Sequence, residues 1–154
     1  MQPPTRHPVL DHLAVLAGEW AIEATHQGLP GIVIRGRATF EWLGDGVFLI
    51  WRAHYDHPDI PDSIAIMGCD DTGDLRHPGG GCTLQYFDQR GVTRLYRLSA
   101  EVGVWRYWRE APGFWQRFTG MISADGRTID GLAELCQDGI TWERDLPITY
   151  TRVR

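Results

Sequence analysis

Alternation of apolar and polar residues with a period of two is the feature that most constrains how this chain folds. Between residues 32 and 42 the even positions are apolar or small, and the odd positions are mostly polar. Such alternation is typical of a β-strand with one buried and one exposed face. Residues 47–55 follow an Asp45-Gly46 pair and carry a second apolar face on their odd positions. Asp-Gly between two such segments is a strong indication of a β-hairpin.

The same pattern continues to the end of the chain. We count about ten predicted strands, near residues 19–26, 32–42, 47–55, 63–69, 82–88, 92–99, 103–110, 114–122, 127–136 and 140–153. Asp-Gly pairs recur at residues 125–126 and 138–139 and predict further turns. Arg90-Gly91 also indicates a turn, but less strongly. Segments 56–62 and 70–81 are rich in Pro or Gly and are predicted to be loops at the rims of the structure. Pro147 predicts a bulge or an edge in the last strand.

One short helix is predicted before the strands. Pro8 suits a first helical position, and apolar residues follow at helical spacing up to Ala17. Gly18 suits the residue that ends the helix.

Successive antiparallel strands without a partner at either end would leave two open sheet edges, which closure into a barrel removes. We therefore predict an all-β fold: a closed, antiparallel, up-and-down barrel of about ten strands, with the helix plugging one mouth. The 154 residues fit one domain covering 1–154.

Charge and cysteine content limit the partners. The net charge is −5 and no cluster of basic residues exists, so we expect neither a nucleic acid nor a membrane as partner. The start of the chain lacks the apolar stretch of a signal peptide. Cys69, Cys82 and Cys136 form no C-x-x-C pair, and we interpret them as reduced thiols. Both observations favour a cytoplasmic location.

Gly18-Glu19-Trp20 follows the predicted helix and opens the first strand, and it resembles the G-x-W signature of lipocalins and other calycins. In those families the Trp closes the floor of the barrel, and a basic residue of the last strand packs over its ring. The resemblance implies that Arg152 or Arg154 makes this cation–π contact with Trp20.

The whole chain also resembles a family of small, uncharacterised bacterial lipocalin-like proteins. The matching segments are residues 91–94, 105–109, 112–114, 116–120, 138–143 and 145–146. This resemblance implies a barrel with a ligand cavity and no particular activity.

Aromatic residues dominate the predicted inner faces. These side chains either fill the barrel completely or line a cavity in it, where Tyr hydroxyl and Trp N–H groups can hydrogen bond to a ligand. Because about ten strands enclose more space than their side chains fill, we expect a cavity. By strand parity, its predicted lining consists of Trp42, Trp51, Tyr86, Tyr96, Gln116, Phe118 and Trp142.

We expect no metal and no other cofactor. His54, Asp56, His57 and Asp59 include possible metal ligands, but residues three apart on an extended segment face opposite sides, and the prolines indicate a solvated loop. Haem-binding barrels related to nitrobindin take a histidine from the C-terminal part of the chain. This chain has no histidine after His77.

Three functions remain open. The first is a protein that binds a small hydrophobic or aromatic molecule in its barrel. The second is an isomerase, cyclase or hydrolase that uses the same cavity, which requires converging titratable groups. The third is an interaction module with a filled barrel, pairing as a homodimer through outward aromatic residues such as Trp105 or Trp115.

Overall fold

A computed structural model describes residues 5–44, 46–69 and 81–154. The predicted turn residue Asp45 and the segment 70–80, with His77, lie outside this range. The described elements are α1 (Pro8–Leu13), a 3-10 turn (Ala14–Leu16), β1 (Gly18–Ala24), β2 (Ile34–Leu43), β3 (Phe48–Tyr55), β4 (Ser63–Cys69), β5 (Cys82–Asp88), β6 (Thr93–Glu101), β7 (Val104–Arg109), β8 (Trp115–Ile122), β9 (Thr128–Cys136) and β10 (Glu143–Arg152).

The strands in these described ranges form one closed antiparallel barrel, as the sequence predicts. Each strand pairs with the next along the chain, and β10 returns to pair with β1. The alternation seen in the sequence sets which side chains face inward. In β2, for example, Ile34, Ala38 and Phe40 are buried while Arg35 and Arg37 are exposed. Because the described sheet closes on itself, it has no edge strand with unpaired backbone N–H and C=O groups.

The N-terminal helix closes one end of the barrel. Leu10, Leu13 and Leu16 are fully buried there, because the helix and the 3-10 turn present them to the core. Pro8 occupies the start of the helix, where its missing N–H leaves no broken hydrogen bond.

Trp20 forms the floor at this closed end, and the predicted contact with Arg152 is confirmed. The two residues are cross-strand partners in β1 and β10. The guanidinium carbon of Arg152 lies 4.3 Å from the centre of the Trp20 ring, which is completely buried. The indole N–H donates to the carbonyl of Leu16 at 2.8 Å.

Position 18 requires glycine because the backbone of Arg154 passes very close to it. A Cβ atom at this position would lie 2.3 Å from the carbonyl oxygen of Arg154, and the φ of 132° is unfavourable for other residues. The absence of a side chain lets the N–H of Glu19 donate to that same carbonyl at 3.0 Å. The helix itself ends earlier than predicted, so Gly18 starts β1 instead of capping the helix.

Interlocked aromatic rings fill the interior towards the helix. Phe40 stacks on Trp51 at 5.6 Å, and Trp105 meets Trp51 edge-on at 5.2 Å and Phe118 at 4.9 Å. Tyr150 lies 6.5 Å from Trp105. Expecting an outward Trp105 was wrong, because the parity of β7 turns this residue inward, where it is completely buried.

Two further expectations need correction. Cys69 and Cys82 form a disulfide, because the end of β4 and the start of β5 place them directly opposite each other. Only Cys136 is a free thiol among the described cysteines, so the cysteine argument for a cytoplasmic location is lost. The last strand, predicted over residues 140–153, starts later, and Ile140, which its apolar pattern would place on the core face, is 84% exposed. Asp138 accepts hydrogen bonds from the N–H groups of Ile140 and Thr141, which prolongs the turn and delays the start of β10.

The last strand carries the irregularity that Pro147 predicts. The register between β9 and β10 shifts between Arg144 and Leu146, just before the proline. In the described ranges, no helix has the length and apolar character needed to cross a membrane.

Candidate functional site

A cavity of about 500 Å³ opens at the barrel mouth opposite the helix. Strands β3 to β10 supply its walls, and the rim loops after β1 and β3 border it. This volume is in the range of sites for small molecules. The rings that fill the other half of the barrel form its floor.

The floor and lower wall are aromatic. Trp51 is 7% exposed and borders the cavity from β3. Tyr107 stacks on Phe118 at 4.7 Å and meets Tyr96 edge-on at 5.2 Å. These rings hold one another in place, so the floor is a preformed apolar surface.

A polar group lies on the wall formed by β6 and β8. The amide oxygen of Gln116 accepts a hydrogen bond from Arg94 at 3.0 Å and one from the Tyr96 hydroxyl at 3.2 Å. Arg94 and Tyr96 share the inward parity of buried Leu98 in β6, and Gln116 shares that of buried Phe118 in β8. All three lie in the first half of their strands, towards the open mouth. Arg94 is half-buried, and its guanidinium carbon lies 5.8 Å from the centre of the Phe114 ring.

Most of the other charged groups at the cavity border are paired. Arg90 contacts Asp88 at 2.7 Å, Arg117 contacts Glu134 at 2.9 Å, and His26 contacts Asp145 at 3.4 Å. Asp59, on the loop after β3, is exposed and has no ion pair within the described ranges. Arg94 likewise has no carboxylate within ion-pair distance among the described residues, and its hydrogen-bond acceptor is a neutral amide.

The tyrosines of the cavity are protonated hydrogen-bond donors. Burial raises the pKa of Tyr55 to about 12 and raises the pKa of Tyr107 well above its ordinary value. Burial and the hydrogen bond to Asp88 raise the pKa of Tyr86. Burial also raises the pKa of Tyr96, against the opposing effect of Arg94 and Arg109. At neutral pH these phenols therefore donate hydrogen bonds and do not act as bases.

His26 and Asp145 form the histidine–carboxylate pair closest to the cavity, but both imidazole nitrogens are engaged. Nδ1 accepts a hydrogen bond from the N–H of Gly28 at 2.9 Å, and Nε2 faces Asp145 at 3.4 Å. A general base needs a nitrogen free to take a proton from a substrate. The arrangement fixes the rim loop and does not favour catalysis.

The structure brings five of the seven sequence-predicted residues to this cavity: Trp51, Tyr86, Tyr96, Gln116 and Phe118. Trp42 lies at the other end of the barrel, where Arg6 stacks over its ring at 3.8 Å. Trp142 lies in the turn before β10 and packs against Arg117, whose guanidinium carbon is 3.9 Å from the ring centre.

Three of the lining residues that were not predicted are important for the site: Tyr55, Tyr107 and Arg94. Tyr55 and Tyr107 have the inward parity of their strands, so a complete parity count would have included them. Arg94 has the same signal, because it is two positions before Tyr96 in β6.

Two other groups of histidine, cysteine or carboxylate side chains lie outside this cavity. His54 is exposed and binds Asp62 at 2.9 Å and Asp56 at 3.2 Å, so it stabilises the loop after β3. His7, Cys69 and Cys82 place their ligand-type atoms within 4.8 Å of one another near the closed end. The disulfide uses both sulfur atoms, and metal binding there requires free thiolates.

Comparison with solved structures gives a match over nearly the whole chain. The crystal structure of Rv2717c from M. tuberculosis superimposes with a TM-score of 0.61 at 15% identity, covering 97% of this chain and 100% of that chain. The fold is shared with Rv2717c. At this identity the likeness concerns the barrel and not a function. No protein-family model matches the sequence, and no curated protein matches it either.

Proposed function

We propose that the protein binds a small, largely aromatic molecule in the open half of its barrel. The observation that carries this proposal is the 500 Å³ cavity with an aromatic floor and a small number of polar groups on its wall. Apolar walls provide affinity by removing ligand surface from water, and a few fixed polar groups orient the ligand. Trp51, Tyr86, Tyr96, Gln116 and Phe118 are the proposed contacts.

The calycin assignment belongs to the same proposal. It is supported by the G-x-W tripeptide, by the position of Trp20 at the closed end, and by Arg152 over its ring. A barrel with one plugged and one open end suits storage or carriage of a ligand. An enzymatic role has less support, because both imidazole nitrogens of His26, in the histidine–carboxylate pair at the cavity border, are held by protein contacts.

The binding proposal is tested with a neutral aromatic probe, N-phenyl-1-naphthylamine, titrated against the protein while its fluorescence and that of tryptophan are recorded. We expect saturable binding at one site. Trp51→Ala removes part of the floor and should weaken binding roughly tenfold. Trp108→Ala is the matched control, since this ring is on the outer side of β7 beside Tyr107 and should leave binding unchanged.

A second variant separates loss of the site from loss of the fold. Ala133 borders the cavity opposite Phe118 on β9, so Ala133→Phe should fill the space and abolish probe binding in a protein with an unchanged circular dichroism spectrum. Unchanged affinity in a folded Ala133→Phe variant would show that the probe binds elsewhere. The cavity would then lose its proposed role.

A further inference from the structure

The polar group on the cavity wall indicates which kind of aromatic molecule fits. We propose that the ligand is an aromatic acid, with its carboxylate held by Arg94 together with Tyr96 and Gln116 and its ring packed on the aromatic floor. This inference rests on the proposed binding function and adds the chemical class of the ligand.

The charge balance of the cavity border is the first support. Arg90 and Arg117 are each neutralised by a carboxylate on a neighbouring residue or strand. Arg94 is half-buried and, among the described residues, hydrogen bonds to an uncharged amide instead. A guanidinium removed from part of its water and lacking an anionic partner is an energetically favourable position for an anion.

A second guanidinium strengthens the positive potential at this wall. Arg109 is opposite Gln116 in the pairing of β7 and β8, and with Arg94 it acts to lower the pKa of Tyr96 against the effect of burial. Asp145, which contacts His26, has a small opposite effect and raises the pKa of Tyr96. The remaining carboxylate, Asp59, is exposed on the rim loop and makes no contact with this group in the described structure.

The hydrogen-bond geometry matches a carboxylate. Two donors, Arg94 and the Tyr96 hydroxyl, already converge on one oxygen, the amide oxygen of Gln116. A ligand carboxylate offers two oxygens with several acceptor positions, so it can take these donors from the amide or share them with it. The protonated phenol of Tyr96 donates without adding a negative charge, and Arg94 supplies the single positive charge that a monocarboxylate needs.

The geometry also fixes the orientation of the ligand. Tyr96 and Tyr107 meet edge-on at 5.2 Å, and Tyr107 stacks on Phe118. A carboxylate at Arg94 therefore places an attached ring directly above the aromatic floor. Neither a purely apolar molecule nor a cation satisfies both halves of this site.

The test compares 2-naphthoate with 2-naphthamide, which have the same ring system and nearly the same shape but differ in charge. Both are titrated by calorimetry at neutral pH against the parent protein and the variants Arg94→Gln and Arg97→Gln. Arg97 is the matched control, because it is on the same strand but exposed on the outer face. We expect the parent to prefer the acid roughly tenfold. Arg94→Gln should remove this preference and leave amide binding unchanged, while Arg97→Gln should retain it.

The outcomes separate the two proposals. Equal affinities for acid and amide in the parent overturn the carboxylate inference and leave the binding function standing. A preference that Arg97→Gln removes as fully as Arg94→Gln reflects overall charge and also overturns the inference. If the parent binds neither naphthalene compound and also fails to bind N-phenyl-1-naphthylamine, the binding function itself is wrong.

Discussion

Trp20 illustrates how much one side chain contributes at the closed end of the barrel. Its ring is completely buried, its N–H donates to the Leu16 carbonyl, and the Arg152 guanidinium covers one face. Arg152 also donates to the carbonyls of Val15, Ala17 and Gly126. Through these contacts the pair connects the 3-10 turn and the turn between β8 and β9 to the first and last strands.

Trp20→Ala should lower the free energy of unfolding by about 3–5 kcal/mol, because it leaves a large cavity in a region that cannot collapse around it. Urea denaturation followed by circular dichroism measures the change. Trp108→Ala, which removes a half-exposed ring from the outer side of β7, should cost about 1 kcal/mol or less. Equal denaturation midpoints for the parent and Trp20→Ala would mean that the floor assignment is wrong.

At the scale of elements, the pairing of β4 with β5 has an additional constraint in the disulfide between Cys69 and Cys82. The two cysteines are 13 residues apart in sequence, so the bond closes a loop of moderate length. A cross-link of this kind stabilises the folded state mainly by restricting the unfolded chain.

Cys82→Ser should lower the free energy of unfolding by about 3 kcal/mol. The parent protein in a dithiol reductant should behave like the variant, which controls for the substitution itself. Alkylation of the denatured, unreduced parent should label Cys136 alone. Labelling of all three cysteines would contradict the disulfide.

The strands and their order were predictable from the sequence because burial on one face imposes a period of two and Asp-Gly turns mark the hairpins. The disulfide was not, because its two cysteines come together only through strand register. The misplaced Trp142 has a local cause. The Asp138 side chain satisfies the N–H groups of Ile140 and Thr141, so these residues join the turn and the predicted parity no longer applies to Trp142.

For the cavity, too, part of the site was predictable from the sequence and part was not. Trp51, Tyr86, Tyr96, Gln116 and Phe118 were predicted because parity within a regular strand gives their direction. Parity does not say at which height in the barrel a residue lies, so Trp42 was placed in the same wall as Trp51. That height depends on the register between strands and on the position of the helix. The apolar pattern of a single strand carries no information about either.

At the scale of the whole molecule, the barrel encloses every tyrosine of the chain. All five have a raised pKa, with burial as the largest cause in each case. Tyrosines in an unfolded chain ionise near pH 10. The folded state therefore retains protons above that pH that the unfolded state has lost.

This difference predicts alkaline destabilisation. Because the folded pKa values are raised, the contribution of the tyrosines to stability is complete below about pH 10 and falls as the pH rises further. Phenolate absorbance of the native protein should stay low at about pH 10, whereas the same protein in denaturant should titrate there. Native absorbance that rises with the denatured curve would show that the rings are open to water.

The pairing of β1 with β10 has a consequence for how the molecule forms. The other pairings in the described barrel join strands that are consecutive in the chain, and this pairing joins its first strand to its last. Hairpins form over short stretches of chain, whereas bringing distant segments together requires most of the intervening residues to be ordered already. Pairing of β1 with β10 at Gly18, Trp20 and Arg152 is therefore the late step that closes the curled sheet into a barrel. Contacts formed this late govern mainly the rate at which the barrel reopens.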